Sequence, residues 1–90
     1  MKRYHIFVTG RVQGVDFRDF VRKNALQLNL MGYVRNTKDG RVEIVAQGEE
    51  LQLKKLVEKC KRGPLLAKVD GVNVIEESVT EAFEGFDFRF

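Results

Sequence analysis

Cysteine and histidine are nearly absent: the 90-residue chain carries Cys60 and His5 and no others of either kind. A single cysteine excludes an internal disulfide and a cysteine-based zinc site. A single histidine argues against a histidine-rich metal centre, so no metal is expected. Proline occurs once, at Pro64, and no Pro/Gly/Ser-rich or low-complexity stretch marks a linker. No apolar run approaches the ~20 residues that span a bilayer, so no membrane partner is expected. The start, Met1-Lys2-Arg3-Tyr4-His5, is basic, but the apolar stretch behind it is too short for a signal peptide. The expected location is the cytoplasm.

What is present fits one domain over residues 1–90. The composition is 43% hydrophobic and 32% charged, ordinary for a globular domain. A chain of this size buries roughly 60–65% of the surface its unfolded form exposes, enough for one core. The net charge of +3 suits a small anionic ligand. It would equally suit weak contact with nucleic acid, so charge alone does not choose between them.

Periodicity divides the chain into two strand–helix–strand halves. Tyr4 to Gly10 alternates with Tyr4, Ile6 and Val8 on one face, a strand period. Gly10 to Gly14 reads as a loop. Arg18 to Leu30 has helical spacing through Val21, Ala25 and Leu28, with Phe17 and Phe20 near its start. Gly32 is placed to end that helix. A short strand is predicted over Tyr33–Thr37, an Asp39-Gly40 hairpin turn follows, and Arg41–Gln47 alternates again. Leu53, Leu56, Val57 and Cys60 define a second helix over Glu49–Arg62, with acidic residues at its start and Gly63-Pro64 stopping it. Val69–Val79 is largely β-branched. Phe86, Phe88 and Phe90 alternate at the end and are expected to form one inward-facing stripe. The order β-α-β-β-α-β predicts an α+β, ferredoxin-like sandwich: two helices on one face of a mainly antiparallel sheet. The two strands of the first half are expected to be sheet partners. Such a fold hosts many functions and names none.

The segment with chemical content is Gly10-Arg11-Val12-Gln13-Gly14-Val15-Asp16-Phe17-Arg18, which joins a strand to a helix. Glycines four apart let the chain take φ > 0 and expose successive N–H groups. With the positive end of the following helix, such donors form an anion-binding nest. Arg18 at the helix start can bind two phosphate oxygens at once, which lysine does less well. Locally, a plain β-α loop with a solvent-facing arginine fits equally well. The segment is neither a Walker loop, lacking Gly-Lys-Ser/Thr, nor a dinucleotide fingerprint, lacking G-x-G-x-x-G. The second segment, Gly32 to Gly40, places Asn36 at a strand end before a turn. An asparagine there can donate and accept, and so hold a water against a bound phosphorus. On local pattern alone, shaping the turn is the stronger reading.

Taken together, the two segments resemble the acylphosphatase family. The first family pattern, G-x-V-Q-G-V-x-F-R, is matched by Gly10, Val12, Gln13, Gly14, Val15, Phe17 and Arg18. The second is matched by Gly32, Tyr33, Val34, Arg35, Asn36, Gly40, Val42 and Gly48, and Gly63-Pro64 and Gly85-Phe86 also stand in their usual places. The resemblance implies that the loop Gln13, Gly14, Val15, Asp16, Phe17 and Arg18 cradles a phosphoryl group through backbone amides. Arg18 would grip its oxygens and Asn36 would orient the attacking water. It further implies hydrolysis of small-molecule acyl phosphates to a carboxylate and inorganic phosphate, with no metal or organic cofactor. A phosphate or sulfate anion is expected in the loop, the chain is expected to be a monomer, and no nucleic-acid partner is expected.

Asp16 holds the variable position of the first pattern. At about 6 Å from a phosphate, a like unit charge costs roughly 0.7 kcal/mol in a bulk-like dielectric and roughly 3 kcal/mol at an effective dielectric of 20. A solvent-facing helix cap is expected in its place. Thr37 is expected to support Asn36 by hydrogen bonding. Arg11 either adds positive field near the loop or is a solvated side chain. His5 is expected to be a strand residue remote from the loop, and Cys60 a packing residue. The run Lys54, Lys55, Lys59, Lys61 and Arg62 reads as the polar face of a helix. An RNA-binding module is the rival class, but strand Arg41–Val45 has no aromatic for base stacking. Related domains also open larger proteins that handle carbamoyl phosphate. The end at Phe90 and the lack of zinc-finger cysteines favour the free-standing enzyme.

Overall fold

The computed structural model describes residues 1–90. Seven elements follow in chain order: β1 (Lys2–Arg11), α1 (Phe17–Gln27), β2 (Met31–Asn36), β3 (Val42–Gly48), α2 (Glu50–Arg62), β4 (Lys68–Glu77) and β5 (Phe86–Arg89). They build the expected α+β, ferredoxin-like arrangement, a five-stranded sheet in the order β4-β1-β3-β2-β5. All pairings are antiparallel except β2 with β5.

Strand alternation decides which face meets the helices. Ile6 and Val8 of β1, Val34 of β2, Val42, Ile44 and Ala46 of β3, and Phe86 of β5 form one apolar cluster. They pack with Phe17, Val21 and Ala25 of α1 and with Leu53, Leu56 and Cys60 of α2. Each helix thus buries a stripe at the three-to-four-residue spacing its sequence carries. Burial at about 25 cal/mol per Å² of apolar surface makes this layer the main stabilising contribution. The opposite parity, His5, Phe7, Arg35 and Glu43, falls on the other, open face.

Three expectations are corrected. First, β1 and β2 are not neighbours, because β3 lies between them. Each is antiparallel to β3, so they run parallel to one another and their carboxyl ends reach the same end of the sheet. Second, α1 ends at Gln27 and Gly32 does not stop it. Leu28 is the C-cap, Asn29 takes the left-handed conformation (φ 58°), and the Leu30 N–H returns to Ala25 O at 2.9 Å. Asparagine is among the few non-glycine residues that tolerate this region. Gly32 instead lies within β2, where a Cβ would stand 1.8 Å from the Val45 carbonyl oxygen. Third, the carboxyl-terminal aromatic stripe is only partly inward. Phe86 is 1% exposed, Phe88 is 40% exposed and Phe90 is 98% exposed.

Candidate active site

Near the carboxyl end of β1 the ladder to β4 shifts register between Thr9 and Gly10, a bulge beyond which Gly10 and Arg11 still pair with Val69 and Lys68. The loop that follows has two left-handed residues, Gly14 (φ 73°) and Asp16 (φ 61°). Gly14 reaches this region without the Cβ penalty, and open space surrounds it. Alternating left- and right-handed backbone turns successive N–H groups toward one side. None of the loop, turn or cap hydrogen bonds uses an N–H of residues 13–18 as its donor. The first turn of α1, which begins at Phe17, adds the free N–H groups every helix start carries, together with its positive partial charge.

A cleft of about 300 Å³ opens over this loop, and Gly14, Asp16, Phe17, Arg18 and Asn36 all line it, with Phe88 and Phe90 along another side. The sheet brings Asn36 here from another strand, since β1 and β2 end on the same side. Asn36 Oδ1 is buried and meets no hydrogen-bond partner. A buried, unsatisfied carbonyl costs about 1–3 kcal/mol. Arg18 takes part in none of the molecule's ion pairs. Its guanidinium carbon instead lies 5.5 Å from the centre of the Phe90 ring. Asp19, on the cleft's rim, is paired with Lys23 at 3.0 Å.

The remaining residues named from the sequence divide. Val15 is buried in the core and reaches the site only through its backbone. Asp16 is solvent-exposed, as expected, and stands at the N-cap, but its side chain makes no cap hydrogen bond. An N-cap acceptor needs extended backbone to reach the second or third N–H, and Asp16 is left-handed. The Gln13 side chain does not line the cleft. Its Nε2 donates to Thr37 O at 2.9 Å and Arg41 O at 2.8 Å, tying the loop to the β2–β3 turn directly after Asn36. The sequence names Gln13 as a loop residue but carries no sign of this bridge, because its partners lie 24 and 28 residues away. Thr37 does not bond Asn36. Its hydroxyl bonds the Asp39 carboxylate and accepts the Arg41 N–H at 3.0 Å, so it holds the turn itself. The Thr37 hydroxyl and the Arg41 guanidinium, whose Nε donates to the carboxylate at 3.0 Å, keep the Asp39 carboxyl below its ordinary pKa. Arg11 is exposed and lies off the cleft. Cys60 is fully buried, and burial pushes its thiol up to about 12, so it is a packing residue and no nucleophile.

His5 lies on the open sheet face, where Nε2 faces Glu43 at 2.6 Å and Nδ1 faces Glu77 at 2.9 Å, and its ring stacks on Phe7. Arg35 Nε donates to Glu43. Burial raises the Glu43 pKa, but the hydrogen bonds from His5 and Arg35 more than offset it, leaving the carboxyl below its ordinary value. The stretch between β4 and β5 crosses this face, with Phe83 edge-on to Tyr33 and the Gln47 amide donating to Glu81 O.

Comparison with known proteins yields one consistent family. A family model described as Acylphosphatase matches residues 4–88. A protein from Methylococcus capsulatus named as an acylphosphatase is 49% identical over 86 residues, covering 96% of this chain and 94% of that one. The crystal structure of acylphosphatase from Bacillus subtilis has a TM-score of 0.97 at 43% identity, with both chains covered in full. Full-length HypF has a TM-score of 0.87 at 30% identity, but there the match spans only 12% of the longer chain.

Proposed function

The chain belongs to the acylphosphatase family and is a hydrolase of that kind, and on this footing we propose that it cleaves the carboxyl–phosphate bond of acyl phosphates with the loop at 13–18, Arg18 and Asn36. The N–H groups of the loop and the start of α1 receive the phosphoryl oxygens, and the Arg18 fork holds two of them. Asn36 Oδ1 accepts a hydrogen bond from a water and sets it in line with the phosphorus. As the water oxygen bonds phosphorus, the bond to the carboxyl oxygen breaks. The electron pair leaves on the carboxylate, and the water's proton passes to a phosphoryl oxygen. An acyl phosphate dianion and water thus give a carboxylate and dihydrogen phosphate.

The leaving carboxylate is stable at neutral pH and needs little help from a general acid. Positioning and charge stabilisation then suffice, which suits a cleft whose lining holds no histidine or cysteine. No metal or organic cofactor enters this scheme. The single observation that carries it is the buried, unpartnered Asn36 Oδ1 in one cleft with Arg18 and the loop at Gly14. The test is phosphate release from benzoyl phosphate in the presence of EDTA, for the wild type, Arg18→Ala and Asn36→Ala. Activity is expected to survive the chelator, and each substitution is expected to lower kcat/KM at least a hundredfold, about 2.7 kcal/mol. Full activity in either variant contradicts the assignment.

A further inference from the structure

The cleft is larger than a phosphoryl group requires, and its remaining side is aromatic. At about 300 Å³ it stands at the small end of ligand clefts, and Phe88 and Phe90 line it together with Arg18 and Asn36. The placement follows from strand parity. β5 pairs with β2 from Gly32↔Phe86 to Arg35↔Arg89, so Phe86 and Phe88 share the helix-side face, and Phe90, one residue past the strand, stands beside Arg18 of α1. Phe86 closes the core, and the stripe then runs out past it toward the site. Two arginines of α1 hold this edge. Arg22 Nε donates to Phe86 O at 2.8 Å and its guanidinium carbon lies 5.5 Å from the Phe88 ring centre, while Arg18 lies at the same distance from the ring of Phe90. Such cation–aromatic contacts favour these ring positions and leave the remaining faces uncovered.

Large aromatic side chains standing so exposed beside a polar, anion-suited loop have no role in the core. We propose that Phe88 and Phe90 form the acyl-side wall of the cleft and make the chain select acyl phosphates with apolar, preferably aromatic, acyl groups over short ones. This rests on the hydrolase reading above. With the phosphoryl group on the loop and Arg18, the carboxyl substituent shares the rest of the cleft, where the rings of Phe88 and Phe90 are the exposed apolar surface. Contact burying about 60 Å² of apolar surface corresponds to roughly tenfold in kcat/KM. An acetyl group presents too little surface to gain it. The ring of Phe90 also leans on Arg18, so its loss can slow every substrate. Only the ratio between substrates separates recognition of the acyl group from placement of the arginine.

The experiment measures kcat/KM for benzoyl phosphate and acetyl phosphate in the wild type, Phe88→Ala, Phe90→Ala and the double variant. Leu65→Ala serves as control, an equally exposed apolar side chain that does not line the cleft. The benzoyl-to-acetyl ratio is expected to fall five- to tenfold in the double variant, less in each single variant, and not at all in the control. A ratio unchanged while both rates fall together overturns the proposal and reduces the rings to supports for Arg18. A ratio and rates that both stay at wild-type values overturn it as well. Failure of the wild type to hydrolyse either phosphate is a different result, which removes the hydrolase reading itself.

Discussion

Two polar regions of this molecule lie one residue apart on β2 and behave oppositely. Arg35 points to the open sheet face, where Glu43 binds it and His5, and Glu77 completes the set. Asn36 points to the other side, where its Oδ1 is buried with no partner. Arg18 likewise has no carboxylate and rests on an aromatic ring. Polar groups that already satisfy one another hold strands in register. Polar groups left open, beside free N–H groups, leave capacity for an anion and a water. On the proposed function, this difference separates structural from functional side chains more sharply than residue type does, since both regions contain arginine.

The contrast can be broken first at Asn36. Asn36→Ala is expected to lower kcat/KM for benzoyl phosphate at least a hundredfold while thermal unfolding stays within a few degrees, because the side chain bonds nothing else in the fold. A large drop in Tm without loss of activity would place Asn36 among the structural groups. Glu43→Ala should do the reverse. It removes the part-buried carboxylate that His5 and Arg35 share and is expected to cost about 2 kcal/mol in urea unfolding, with kcat of the folded protein within twofold of wild type. Acid sharpens the same point. The Glu43 carboxyl titrates below its ordinary value when folded, so its contribution is fully present above the unfolded value of about 4.3. It is lost as pH falls through the lower, folded value, because the unfolded chain then binds the extra proton. Unfolding curves between pH 6 and 3 are expected to show a loss of stability on acidification that Glu43→Gln reduces.

Within the cleft region, the Gln13 side-chain amide holds the loop to the turn after Asn36. Gln13→Ala is expected to lower kcat about tenfold with a smaller change in the inhibition constant of phosphate. Equal changes in both would indicate a direct contact with the anion. The smallest effect is expected at Asp16, whose side chain is exposed and caps nothing. Asp16→Asn should change phosphate affinity by less than threefold, and a gain of tenfold would show the carboxylate facing the anion.

Much of this was legible in the chain, for identifiable reasons. Strand and helix periods are local, so the elements and the inward residues such as Ile6, Val21, Ile44 and Leu56 could be read directly. Local pattern marked the loop from Gly10 to Arg18 and the strand end at Asn36 only as candidates; the resemblance of the two segments together to a known family is what suggested their roles. Sheet order is not local: nothing near β1 announces that β3 separates it from β2. The His5–Glu43–Glu77 set escaped for the same reason, its members lying 38 and 72 residues apart in sequence from His5. Gly32 misled as a helix stop because Asn29 supplies the left-handed residue, while glycine at 32 answers to the close approach of Val45. The aromatic stripe was read correctly in its alternation and wrongly in its depth, since only Phe86 reaches the core.

The most direct measurement is a titration of the ¹⁵N-labelled protein with inorganic phosphate, following backbone amides and the side-chain amide of Asn36. The account predicts saturable shifts concentrated at residues 13–18 and at Asn36, with the open face at His5 and Glu43 unmoved. Shifts centred on the lysines of α2 or on the His5 face, with residues 13–18 silent, would contradict it.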